Sequence, residues 1–130
     1  MLRKAKWAVK EVGLRIKYMT SRGCIFCKII RGEIKSKPVL ATETILAIND
    51  INPVAAVHIL IIPKNHIESA VTIKDDDAKD VVDMFRAAAN LVKEKKLEAY
   101  RLAFNGGRYQ HVSHLHMHLL AGGSVLWEKL

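Results

Sequence analysis

Residues 110–120 read QHVSHLHMHLL. Four of the chain's six histidines stand in this run, and His114, His116 and His118 alternate strictly with Leu115, Met117 and Leu119. On a strand, residues two apart share a face and rise roughly 3.3 Å each. The alternation therefore predicts a strand with three imidazoles on one face and a core-packed apolar face opposite. Neighbouring imidazoles would start about 6.6 Å apart and the outer two about 13 Å apart. Zinc holds nitrogen ligands at roughly 2.1 Å, so all three rings cannot easily meet one ion. One end of the row is left for metal, and the centre and far end for other work. A row of imidazoles suits chemistry at phosphorus, because a neutral ring is a nucleophile and a protonated ring a donor and acid. The duller alternative is a strand of solvent-facing or core-satisfied histidines. That would be the first reading of a lone histidine, but not of three at period two with apolar alternates.

The flanking sequence places this strand in a fold. NGGRYQ (105–110) reads as a turn and YRLAFN (100–105) as a strand before it. A helix is predicted from about Asp76 to Glu98. Asp75, Asp76, Asp77 and Asp80 crowd its start and Lys93, Lys95 and Lys96 its end, both complementing the helix dipole. Its apolar face is predicted as Val81, Met84, Phe85, Ala88, Leu91 and Val92. Further upstream, VHILIIP (57–63) is a buried strand ending at Pro63. VLATETILAIND (39–50) is a hairpin turning at Glu43-Thr44. GCIFCKIIRGEI (23–34) is one or two helical turns with Gly32 as a left-handed stop. The order βββ-α-ββ predicts an α+β fold: an antiparallel meander of about five strands with one long and one short helix.

With 130 residues the chain is most simply one domain with a proper core. Its longest apolar run, INPVAAVHILIIP, is broken by Asn52, Pro53 and His58, so no membrane span is expected. The net charge of +8 is unevenly placed: residues 1–23 hold seven Lys and Arg against Glu11 alone. The rest, residues 24–130, is near neutral. The basic segment 1–23 is a membrane- or nucleic-acid-binding helix, a targeting peptide, or an extension outside the domain. The last is preferred, because organised sequence begins at MTSRGCIFC and no apolar targeting core precedes it. Cys24 and Cys27, a C-x-x-C pair, are too few for a disulfide scaffold. In a reducing, cytoplasmic setting they are a metal site, a redox pair or simply reduced thiols. A classical zinc finger is excluded by the thirty-eight residues between Cys27 and His66.

HLHMHLL (114–120) matches the His-φ-His-φ-His-φ-φ signature of the histidine-triad (HIT) superfamily, every φ being apolar. CIFCKIIRGEI, AINDINP, HILIIPKNHI and the closing LLAGG with Trp127 agree in order. From about Cys24 to Trp127 the chain resembles the zinc-binding, Hint-like branch. That resemblance implies that His116 is a nucleophile attacking the α-phosphorus of a nucleotide to form a nucleotidyl-histidine, which water then hydrolyses. It makes His118 a donor to the phosphate or leaving group, His58 a supporting fourth histidine and Asn105 a phosphate contact. Asp50 would bind the ribose hydroxyls, its two oxygens matching a vicinal diol, although Asp also serves a turn there. Phe26, Ile29, Ile48 and Ile51, with Asn49, would line the nucleotide pocket; the plainer alternative for each of the apolar four is core. The resemblance assigns a structural zinc ion to Cys24, Cys27, His66 and His114.

One departure stands out. Hint-like proteins usually carry a longer glycine-rich loop ending in Gln-Ser, and here His111 occupies the serine's place. That serine helps the leaving group, so His111 either replaces it as donor or acid or faces solvent. The expected function is hydrolysis of purine nucleoside phosphoramidates or mixed phosphates. Dinucleoside-polyphosphate hydrolysis and a non-catalytic, zinc-stabilised nucleotide or nucleic-acid binding module are the rivals. The resemblance further implies a homodimer, with Leu126 and Trp127 reaching the partner's site.

Overall fold

The computed structural model describes residues 22–123. Nearly all of the basic segment, and Leu126 and Trp127, lie outside the described residues. The elements are helix α1 (Ile25–Ile30), strands β1 (Leu40–Ala41), β2 (Ile45–Asn49) and β3 (Val57–Pro63), helix α2 (Ala78–Glu94), and strands β4 (Arg101–Ala103) and β5 (Met117–Ala121). They form one antiparallel five-stranded sheet in the order β1-β2-β3-β5-β4. The α+β class with one long and one short helix is as expected. The path departs from a plain meander once: β5 enters between β3 and β4, which makes the strand that carries His118 an interior one.

The near-continuous apolar run in β3 has a simple cause: both faces of the sheet are covered. Ile45 and Ala47 of β2, Ile59 and Ile61 of β3, and Met117 and Leu119 of β5 point to one side. There they bury Met84, Ala87, Ala88 and Leu91 of α2. The alternate residues Leu46, Leu60 and Ile62 point the other way, onto Phe26 and Ile30 of α1. By the period of two, His58 and His118 lie on this α1 side. Phe85, expected on the buried stripe of α2, is 47% exposed. The stripe actually runs through Asp80, Met84, Ala87, Ala88 and Leu91, and Phe85 lies beside it against Phe104, ring centroids 6.3 Å apart.

The β1–β2 turn is fastened at both ends. Thr42 Oγ1 accepts from the N–H of Ile45 at 3.0 Å, and Thr44 Oγ1 donates to Asp83 of α2 at 2.7 Å. Lys64, fully buried, spends its ammonium on the Thr42 carbonyl. No helix among the described residues is long and apolar enough to cross a membrane.

Both helices end in the same hydrogen-bond pattern. After α1, Gly32 N–H donates to Ile29 and Glu33 N–H to Lys28, with Gly32 at φ 85° as expected. After α2, Lys96 N–H donates to Lys93 and Leu97 N–H to Val92, with Lys96 at φ 54°. This cap needs a left-handed residue, and a Cβ there is strained. Lys96→Gly should therefore stabilise the protein by about 1 kcal/mol. A higher midpoint in urea denaturation, at unchanged slope, is the expected reading.

Candidate active site

His118 is the one triad histidine inside β5, paired across from Leu60. The expectation that all three lie on the strand is corrected here. His114 and His116 sit on the extended approach to it, because the ladder with β3 stops at the Ile61–Met117 pair. Pro63, which would come opposite Leu115, has no N–H to give, and Leu115 instead donates its N–H to the Ile67 carbonyl. The alternation of sides survives nonetheless. Leu115, Met117 and Leu119 are buried in the α2-side core, while the His116 and His118 rings stand 5.0 Å apart, centre to centre.

The partners of His116, His58 and His118 assign the hydrogens of these rings. A carbonyl oxygen only accepts and a main-chain N–H only donates. His116 Nδ1 lies 2.7 Å from the His114 carbonyl oxygen, so Nδ1 carries the hydrogen and Nε2 the lone pair. Val54 N–H donates to His58 Nδ1 at 3.1 Å, so the hydrogen of neutral His58 is on Nε2. That Nε2–H points at His118 Nδ1, 2.9 Å away, and lies 3.3 Å from Asp50 Oδ2. His118 Nδ1 therefore accepts, and its Nε2–H is directed outward; Asn105 Nδ2, 3.4 Å off, is itself a donor, so the Asn105 amide receives that hydrogen only with its oxygen turned toward the ring. The result is a lone pair on His116 beside a donor on His118.

Asp50, His58 and His118 also have the mutual spacing of a metal site. The hydrogen on His58 Nε2 makes them a hydrogen-bond chain instead, since a ligand nitrogen needs its lone pair. Burial favours the neutral form of the His116 and His118 rings. Burial pushes His118 down to about 4, with His116 and His58 adding to the fall and Asp50 opposing it. Burial also lowers His116, against its hydrogen bond to the His114 carbonyl and the pull of Asp50. Exposed His111 stands near enough to lower both rings further. Its loop is fixed by Gln110, whose side-chain N–H groups reach the carbonyls of Glu68 and Val112, both at 2.9 Å.

The four residues expected to hold metal come together. Cys24 Sγ is 3.3 Å from His114 Nδ1, and Cys27 Sγ is 3.3 Å from His66 Nδ1 and 3.5 Å from His114 Nδ1. The two Nδ1 atoms are 3.1 Å apart, and all four donor atoms lie within 4.8 Å of one another. A tetrahedron with metal–sulfur bonds of about 2.3 Å and metal–nitrogen bonds of about 2.1 Å has edges of roughly 3.3–3.8 Å. The donor set fits. His114 gives its Nε2–H to the Pro63 carbonyl at 2.8 Å, which leaves the Nδ1 lone pair facing the cysteines and matches the outer support usual for a ligand histidine. Burial lowers His66, and lowers His114 to about 4, so both are neutral and able to coordinate.

The remaining expected residues divide. Asp50 follows β2, its main-chain N–H bonded to the His58 carbonyl and its Oδ1 to the N–H of Asn52, so it serves the turn as well as facing the histidines. Ile29 and Ile48 are partly buried against the α1-side cluster, whereas Ile51 is 90% exposed. Asn49 alternates with Asp50, to the side of Ile45 and Ala47, away from the histidines. Phe26 is only 6% exposed, and its ring meets His116 edge-on at 5.1 Å. Val54 and Pro63 went unforeseen, because a main-chain N–H or carbonyl leaves no mark on residue type.

A family model described as "Scavenger mRNA decapping enzyme C-term binding" matches residues 23–127. An uncharacterized HIT-like protein of Methanocaldococcus jannaschii is 37% identical over 99 residues, covering 75% of this chain and 77% of its own length. The chain belongs to the histidine-triad family. Another relative, the adenosine 5'-monophosphoramidase of Candida albicans, is 38% identical over 104 residues, covering 75% of this chain and 68% of that protein. The solved HIT family hydrolase from Clostridium thermocellum superposes with a TM-score of 0.77 at 41% identity, covering 82% of this chain and 96% of that one.

Proposed function

We propose that this histidine-triad hydrolase cleaves the phosphorus–nitrogen bond of purine nucleoside 5′-phosphoramidates and releases the nucleoside monophosphate. The observation that carries the reading is the paired ring assignment: a lone pair on His116 Nε2 next to an outward Nε2–H on His118. His116 Nε2 attacks the α-phosphorus as the bond to the leaving nitrogen breaks, giving a nucleotidyl-histidine. The departing amine takes a proton from solvent; water then attacks the phosphorus, displaces His116 Nε2 and returns a proton to solvent. His118 and Asn105 bind the phosphoryl oxygens, on which negative charge gathers. His58 holds His118 in its tautomer and is a positioning residue. A relative that is an adenosine 5'-monophosphoramidase supports the substrate class. The test is steady-state turnover of adenosine 5′-phosphoramidate by the full chain; no release of adenosine monophosphate would overturn the reading.

In this reading the Asp50 carboxylate takes the ribose hydroxyls. Asp50→Asn should raise KM for a ribonucleoside phosphoramidate about tenfold, the scale of one charge-assisted hydrogen bond. A 2′-deoxy substrate should lose less. Initial-rate kinetics on both substrates checks this, and equal losses would remove Asp50 from ribose recognition.

Cys24, Cys27, His66 and His114 would hold a zinc ion. Closed by four protein ligands, it would supply structural cross-linking between the α1 turn and the approach to β5. A homodimer is also part of the proposal. It is supported by Val82 and Phe85 on α2, each 47% exposed, and by the outer edge of β4, which among the described residues pairs only with β5.

A further inference from the structure

The thiol centre and the ring of His116 are joined twice. The first link is main chain: His114 sets its Nδ1 among the cysteines and accepts Nδ1–H of His116 with its own carbonyl at 2.7 Å. The second is Phe26, which lies between Cys24 and Cys27 on the same turn. Its ring meets His114 at 5.8 Å and 76° and His116 at 5.1 Å and 82°. One hydrogen bond leaves an imidazole free to swing about the N–O line. The edge-on contact with Phe26 blocks that swing, and such ring pairs have a preferred geometry. A nucleophile's lone pair must lie on the line to phosphorus, and a displacement of about 1 Å can cost on the order of a hundredfold in rate.

We propose that Phe26 is a positioning residue for His116, so that the state of the two thiols flanking it sets the alignment of the nucleophile. This rests on His116 being that nucleophile. Thiol chemistry enters through Cys24, which is partly exposed, whereas Cys27 is buried. The Cys24 thiolate attacks a small-molecule disulfide and expels one small thiolate, giving a mixed disulfide. The Cys27 thiolate then attacks Cys24 sulfur and expels the second. The two cysteines are oxidised, the small disulfide is reduced to two thiols, and any coordinated cation leaves unchanged. Sulfurs that stand within 4.8 Å must close to a bond of about 2.05 Å. That contraction pulls on the turn that carries Phe26.

The test uses the full chain and two readouts, adenosine 5′-phosphoramidate kinetics and the imidazole 15N signals of His116. Phe26→Leu keeps an apolar side chain, somewhat smaller, and removes the ring. Its kcat should fall about tenfold or more with KM within about twofold, and the His116 signals should shift from the Nδ1–H form toward a mixture of tautomers. Oxidising the wild type with excess small disulfide should produce the same two changes, reversed by a dithiol. Wild-type kcat and wild-type His116 signals in folded Phe26→Leu would overturn the proposal, as would an oxidised enzyme unchanged in both. If Phe26→Leu fails to fold, the oxidised wild type decides alone. A wild type without phosphoramidase activity would sink the proposed function, while the nitrogen signals would still decide the role of Phe26.

Discussion

His116→Ala should lower kcat on adenosine 5′-phosphoramidate by about 10⁴-fold or more, the scale seen when a covalent nucleophile is deleted. Affinity for adenosine monophosphate should change little, because the proposed ribose and phosphate contacts come from Asp50, Asn105 and His118. The size of the effect follows from the ring assignments. His118 Nδ1 is occupied by His58 Nε2–H, so it presents a donor outward and has no outward lone pair to substitute for the missing one. The variant also strips a partner from the His114 carbonyl and leaves a space beside Phe26. A loss of about 1–3 kcal/mol of stability is expected from the unpaired group, so turnover should be compared well below the melting range. Comparable kcat in wild type and variant would overturn the assignment of the nucleophile.

The second large effect is on stability. Cys27→Ser should abolish stoichiometric zinc binding and lower the melting temperature of the zinc-loaded chain by about 10 °C or more, since a structural site adds its binding free energy to folding. Cys27 is fully buried, with its sulfur within 3.5 Å of Nδ1 of both His66 and His114. A cation would take the His114 Nδ1 lone pair, which stands 3.1 Å from His66 Nδ1 and within 3.5 Å of both sulfurs. Chelation of the wild type should reproduce the fall, and zinc should restore it. A melting temperature indifferent to chelator, together with zinc far below one per chain, would overturn the metal site.

What could be read from residue order was whatever depended on periodicity. The alternation in residues 114–119 correctly separates Leu115, Met117 and Leu119 from the histidines, and the apolar run of β3 correctly predicts a buried strand, which the structure shows covered on both faces. The approach of Cys24 and Cys27 to His66 and His114 was legible through family resemblance, because thirty-eight intervening residues carry no local signal. Phe26 was harder: an aromatic residue on a short helix has the same pattern whether it lines a base pocket or clamps a ring. The start of β5 at Met117 depends on Pro63 of another strand, and that pairing becomes visible only with the register. Asn49 shows the opposite case, since the period of two along β2 already separates it from Asp50.

The two reactive rings differ in how mutation can disturb them. The protonation pattern of His116 is dictated by the peptide oxygen of residue 114, which every amino acid possesses, so no single side-chain replacement deletes that acceptor. The pattern of His118 depends on an imidazole borrowed from β3. Genetic drift can therefore erode the donor half of the pair through position 58 alone, whereas the attacking half is written into the backbone.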